Sequence, residues 1–577
     1  MMSQPLCANW ALNNAICNKI GRFACKDCRL ITYCGAECQK SHWATHRKDC
    51  KSLLGMSIWQ PDWVLENRLP AFVGDDPAVT TYEGRKYLWG NVPAFDVLKL
   101  GANEGEAYDE QLRLLFAASG DLRNVIKTIA QLPESYSQTL EVTMNDRDLD
   151  IVARNVILLL VALVVDDTDD AIDCIIHVWY SALLRKSDLD ILQQRIRPII
   201  EEVCHKLKGK APNRLMAKTW TFGQRSMRLV LEKSAWDTLL TFTETPKGLT
   251  VERANEIRKS VTLAADRKDI RDRHLLFQAP FHRVALTRFR EDGILLPFGA
   301  SRNDFHQPNP TLFQDTESWP MHDNTDPLTG WSSKEVHETS VGPATADIYG
   351  KLFIYLRTLL RAFHHRLSDM RVSFRLFQMD ASALPEYLEG NFYSRIEVSN
   401  ISDAGYLGIH CTLAYMVPLL QSPLENPHAT LITLFMNVVD ENLTDLDRMA
   451  DMAAGDLTIS RILQYVPLVR IPSTHNDPTL FKVMMARDCV FSHDSIFDRH
   501  AAKLKFSETA QAIGAAMKSE HTVIEKWPFR LKLSPGQPGA QEEFDRLLCG
   551  GLSSKECYLE WKRVSPGRCG KDVTFVG

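Results

Sequence analysis

Apolar positions in the stretch Gln111 to Asn155 change period in a fixed order. Leu112 to Ala118 is apolar except for Arg113, the pattern of a strand buried on both faces. Ser119-Gly120-Asp121 then supplies a turn and an N-cap for a helix over Leu122 to Leu132. A second strand, Leu140 to Met144, ends in Asn145, Asp146 and Asp148, and Leu149, Val152, Val156 and Leu159 follow at helical spacing. The succession is that of a βαβ unit and predicts the α/β class.

The pattern changes after Arg185. Leu189 to Leu207 and Arg214 to Phe242 read as charged amphipathic helices, Asn303 to Pro343 as a long exposed loop, and Tyr349 to Leu367 as a helix. Strand patterns resume at Val372 to Met379, Ile396 to Asn400 and Ala429 to Phe435. These five strands are expected in one mostly parallel sheet, interrupted by a helical insertion. The expected organisation is a small N-terminal module (1–51), an ordered linker (52–84), the first half of the sheet domain (85–185), a helical insertion (186–370) with its loop near 303–343, the second half (371–470), and a helical or irregular C-terminal region (471–577).

At 577 residues the chain exceeds one ordinary core, and 45% apolar with 24% charged residues describes a globular protein. A net charge of -5 argues against a general grip on nucleic acid. The longest apolar run, Val156 to Val165, is too short to span a bilayer, and the N-terminus has no secretory pattern. An intracellular, reducing location, cytoplasmic or nuclear, is therefore expected, and the 14 cysteines need an explanation other than disulfides.

Half of those cysteines lie before residue 51, and with His46 they make eight ligands: Cys7, Cys17, Cys25, Cys28, Cys34, Cys38, His46 and Cys50. Thiolate and imidazole are what a tetrahedral structural zinc site takes, and eight ligands suit two ions. The order C-x9-C-x7-C-x2-C-x5-C-x3-C-x7-H-x3-C, with Tyr33-Cys34, Cys38-Gln39 and His42-Trp43, resembles the MYND-type zinc finger. The wide first gap is like that of fungal versions. The resemblance implies a cross-brace in which Cys7, Cys17, Cys34 and Cys38 hold one ion and Cys25, Cys28, His46 and Cys50 the other. His42 is read as packing. It also implies a module that binds partner proteins through short proline-containing peptides. Seven Lys or Arg against three Asp or Glu in residues 1–50 do not make a DNA reader, because no recognition helix follows. Cys549, Cys557 and Cys569 lack paired spacing and read as free thiols.

Two further resemblances concern the sheet. Trp89 to Arg154, with Ile176-His-Val-Trp-Tyr-Ser-Ala182, resembles a domain of unknown function found in fungal MYND-finger proteins and at the start of axonemal dynein assembly factor 3 proteins, over about residues 85–190. It carries no established chemistry. The interrupted sheet also resembles a Rossmann-like, class I methyltransferase sheet. That resemblance implies S-adenosylmethionine contacts at Ala118, Ser119, Gly120 and Asp121 in the turn, Asp146 at the ribose, and Asp380 with Ala381 at the adenine. Of the family's three glycine places only Gly120 is kept, and side chains at Ala118 and Leu122 narrow the approach. S-adenosylmethionine is accordingly not expected to bind, no catalytic residue is assigned, and the chain reads as a zinc-binding interaction adaptor in transcriptional regulation or protein assembly. The alternative is an active methyltransferase, with Asn400 and Asp403 as its nearest catalytic candidates.

Overall fold

The computed structural model describes residues 5–9, 17–73, 86–390, 392–447, 455–466 and 476–564. Cys569 and the linker beyond Val73 up to residue 84 lie outside them. The N-terminal strands β1 (Phe23–Ala24) and β2 (Thr32–Tyr33) form a small hairpin ahead of the helix Ala36–Cys50. The body contains β3 (Leu112–Phe116), β4 (Leu140–Asp146), β5 (Leu183–Arg185), β6 (Leu215–Phe222), β7 (Arg225–Glu232) and β8 (Phe305–Pro308). It continues with β9 (Val372–Gln378), β10 (Arg395–Glu397), β11 (Thr430–Phe435), β12 (Ala515–Met517) and β13 (Cys557–Arg563).

One mixed sheet of nine strands, in the order β12-β13-β11-β10-β3-β4-β9-β7-β6, organises the body. The strands β11, β10, β3, β4, β9 and β7 run parallel, whereas β6 and β13 run antiparallel to their neighbours β7 and β11. All five strands anticipated from the apolar pattern lie in this sheet, although some 230 residues separate β4 from β9 in the chain.

Strand alternation distributes β3 between two cores. Leu112, Leu114 and Phe116 enter a core with the helices Arg123–Ala130, Leu149–Val164, Thr168–Tyr180 and Ile348–Asp369. Leu115 and Ala117 enter a second core with the helices Ile409–Met416, Asp494–Lys503 and Phe506–Ile513. Burial on both faces is why β3 reads as a nearly continuous apolar run. The exception, Arg113, lays its guanidinium 4.5 Å over the ring of Phe392.

Four expectations need correction. The helix expected over Arg214–Phe242 is a hairpin, β6–β7, followed by a short helix, Lys233–Thr241. Met227, Leu229 and Leu231 are buried at period two, and Gly223, at φ +63°, provides the tight turn. The stretch Asn303–Pro343 is not an exposed loop but is anchored in the body, with Asn309, Phe313, Trp319, Met321 and Trp331 all inside. Asn309 donates through Nδ2 to the carbonyls of Val178 and Ser181 (2.9 and 2.8 Å), so a polar composition here serves internal satisfaction. The C-terminal region is not only helical, because it supplies β12 and β13 to the sheet. Finally, the N-cap of the first helix is Leu122. Asp121 still accepts from Arg123 N through Oδ1 (3.3 Å), while its Oδ2 turns inward to accept from Gly90 N (3.0 Å) and Trp179 Nε1 (3.3 Å).

Candidate metal centre

Local geometry brings the eight N-terminal candidates together in two groups. Cys25 follows β1 and Cys34 follows β2, so the hairpin aims one thiol at each group. Gly21 permits this closeness: a Cβ there would lie 2.2 Å from Oγ1 of Thr32. The turn from Cys25 to Cys28 is closed by Arg29 N donating to Cys25 O (3.0 Å) and by Leu30 N donating to Cys28 Sγ (3.4 Å). The helix Ala36–Cys50 presents Cys38 from its first turn, and His46 and Cys50 one turn apart near its end.

The ligand atoms of Cys7, Cys17, Cys34 and Cys38 lie within 4.8 Å of one another, and so do those of Cys25, Cys28, His46 and Cys50. The pairs interleave along the chain. Tetrahedral zinc with Zn–S near 2.3 Å separates its sulfurs by about 3.8 Å and a sulfur from an imidazole nitrogen by about 3.5 Å. Cys17–Cys34 and Cys25–Cys50 stand at 3.7 Å, Cys34–Cys38 at 3.4 Å, and Cys28 Sγ to His46 Nε2 at 3.4 Å. Without a cation, thiols so close oppose one another's ionisation. A hydrogen bond from Cys28 holds Cys25 down to about 3, and the same bond pushes Cys28 far up. A divalent ion removes that conflict by binding all four deprotonated. His42 joins neither group; burial lowers its pKa to about 4 and its Nδ1 lies 3.0 Å from the Tyr33 hydroxyl.

The finger is seated on the body. Ala8 and Ile31 close on Gly299, where a Cβ would stand 3.1 Å and 3.3 Å from their Cβ atoms. Ala346 N donates to Arg29 O (3.1 Å), and Arg288 approaches Asp49 at 3.5 Å. Just past the finger, Arg283 donates to the carbonyls of Leu54 and Met56 (both 2.8 Å) beneath Trp59. Cys7, Cys25, Cys28 and Cys50 belong to the same apolar core as β3 and β4.

The second candidate place is the crevice at the carboxyl ends of β3, β4 and β9, beside the switch point where β3 neighbours β10. Gly120, at φ +53°, donates its N–H to Asp146 Oδ2 (3.0 Å), and Asp148 N donates to Asp146 Oδ1 (3.0 Å). Burial raises the Asp146 pKa. Asp380 Oδ1 accepts from Ser382 N and Oγ (2.9 and 2.6 Å), and Ala381 packs half-buried behind it. The structure thus brings Gly120 and Asp146 into direct contact and sets Asp380 on the adjoining strand end. Leu122 does not narrow the crevice, because its side chain is 1% exposed and turned into the core. Asp403 is buried, with Oδ2 accepting from Met436 N and Asn437 Nδ2 (both 3.1 Å), and burial pushes its pKa up to about 6. It closes the loop after β10 onto the end of β11, and Asn400 Nδ2 reaches it at 3.5 Å. Glu397, which no motif in the sequence marks, is buried at the end of β10 with its pKa pushed up to about 7 by desolvation. A charged residue in a segment predicted as a buried strand was the available signal. Gly120→Ala is expected to cost about 1–2 kcal/mol in urea unfolding through the left-handed backbone alone, since nothing lies within 4 Å of the added Cβ.

Residues 14–50 match the MYND finger family, a zinc-binding class that mediates protein interactions, and residues 88–184 match a domain of unknown function, DUF4470. Dynein axonemal assembly factor 3 of Danio rerio is 34% identical over 89 residues, which is 15% of this chain and 18% of that protein. The chain thus aligns with less than a fifth of that relative's length. No solved structure matches. Among the described residues no helix is long and apolar enough to cross a membrane.

Proposed function

We propose that the chain is a two-zinc interaction adaptor, with Cys7, Cys17, Cys34 and Cys38 on one ion and Cys25, Cys28, His46 and Cys50 on the other. The finger recruits a partner protein through a short proline-containing peptide, and the sheet is a methyltransferase-like scaffold without catalysis. Its setting is intracellular, in transcriptional regulation or protein assembly. The observation that carries the reading is the interleaved pair of four-ligand groups at zinc-compatible spacing. The limited likeness to an assembly factor fits a non-catalytic role for the following domain. Elemental analysis of the reduced, folded chain is expected to find two zinc ions per molecule. One ion or none would remove the cross-brace.

The scaffold part of the proposal rests on the crevice. Its strand order favours a second reading, an S-adenosylmethionine-dependent methyltransferase, because open parallel sheets take ligands at such a switch point. Against it, both Asp146 oxygens already accept backbone N–H groups, and Asp380 is engaged by Ser382. A ribose or adenine has to compete with these bonds, each worth about 0.5–1.5 kcal/mol. S-adenosylmethionine is therefore expected to bind the full chain with Kd above about 1 mM by calorimetry. Micromolar binding abolished by Asp146→Ala would establish the enzyme reading instead.

A further inference from the structure

Among the described residues the edge strand of the sheet, β6, pairs with no strand but β7. Phe222 and Arg225 flank the two-residue turn and form a hydrogen-bonded pair, so Phe222, Trp220, Lys218 and Met216 direct their backbone groups to β7. Leu215, Ala217, Thr219 and Thr221 direct theirs outward. All four are exposed, and among the described residues none makes a backbone hydrogen bond to another element. The strand has no proline, and its register with β7 runs unbroken over eight residues, so two common protections of an edge are missing.

Charge then selects what fits there. From Val203 to Leu231 the chain carries seven Lys or Arg and no Asp or Glu. Lys206 is taken up by Glu202, but Lys208, Lys210 and Arg214 lead exposed into β6. On the open face of the sheet Thr219, Arg228 and Arg375 stand in register across β6, β7 and β9. Two arginines directly opposite repel. Among the described residues neither is paired with a carboxylate: Arg228 Nη1 donates to Thr219 Oγ1 (3.3 Å), and Arg375 lies 5.8 Å over the Phe377 ring. A second copy of this edge would bring the same basic surface against itself.

We infer that the free edge of β6 docks an extended acidic segment of a partner protein, which adds a tenth strand and sets carboxylates beside Lys218 on one face of the sheet and toward Arg228, one strand further in, on the other. This surface is separate from the finger. The test is fluorescence anisotropy with the zinc-loaded full chain and a labelled ten-residue peptide alternating Glu with Val or Thr. Three controls accompany it: the Lys analogue, the same acidic peptide N-methylated at alternate residues, and an oligonucleotide of equal charge. The acidic peptide is expected to bind saturably. At least tenfold weaker binding is expected for the Lys analogue, the N-methylated peptide and the Lys218→Glu/Arg228→Glu variant. Thr219→Pro removes an outward N–H, together with the hydroxyl to which Arg228 donates, and is expected to weaken binding similarly. The N-methylated control keeps the strand test available should Thr219→Pro not fold. Equal binding of the N-methylated peptide or the oligonucleotide would overturn the inference in favour of a nonspecific polyanion surface. Absence of binding by the acidic peptide would overturn it outright. A dimer in sedimentation that Thr219→Pro abolishes would overturn it in favour of a second copy.

Discussion

Removing zinc from the full chain with a chelator is expected to unfold the finger and to lower the thermal transition of the body by about 5 °C. The first part follows from size: among the described residues up to Cys50 the few buried apolar side chains, such as Ala8 and Ile31, are turned to the body, leaving the finger little core of its own, and structural zinc in finger peptides is worth about 10–16 kcal/mol. The second part follows from docking. Ala8 and Ile31 pack on Gly299, and Leu30 and Tyr33 lie buried in the core shared with the body. Losing three or four apolar side chains, at about 1.5 kcal/mol each, costs the body roughly 5 kcal/mol. At about 2.1 cal/mol/K per residue, a body of about 500 residues shifts by about 1 °C per kcal/mol. Cys25→Ser is expected to reproduce the effect with zinc present. Calorimetry showing an unchanged main transition after chelation would mean that the finger contributes nothing to the body's stability.

Arg395→Met is expected to destabilise the body by about 3–5 kcal/mol in urea unfolding. Arg395 stands on β10 at the switch point and meets Glu104 through both terminal nitrogens (2.8 Å each), with both side chains 1% exposed. Asn426 Nδ2 also donates to Glu104 (3.1 Å), so the pair ties the segment before β3 to β10 and to the turn before β11. Removing the guanidinium leaves a buried carboxylate with one remaining donor, whereas removing both charges does not. The double variant Arg395→Met/Glu104→Gln is expected to regain most of the loss. A double variant as unstable as the single one would show that Arg395 matters through its bonds to the carbonyls of Ser394 and Leu98 instead.

Pattern alone determined the strands β3, β4, β9, β10 and β11, because each is buried on one or both faces and therefore carries an uninterrupted or alternating apolar signal. It also indicated the zinc-binding finger, since ligand type and spacing are constraints that the chain states directly. What the sequence could not determine depends on where a segment lands. β6 has an exposed outer edge and half its residues in solvent, so its apolar period is weak, and only pairing with β7 makes it a strand. β13 shows its character only beside β11, where Tyr558 and Trp561 find their places in the two cores. The stretch from Asn303 to Pro343 looks exposed by composition, yet its polar groups satisfy carbonyls inside the body. Leu122 and Asp121 likewise turn inward rather than toward the crevice. Local spacing cannot say which way a side chain points once several elements compete for it, and the packing of tertiary neighbours decides it.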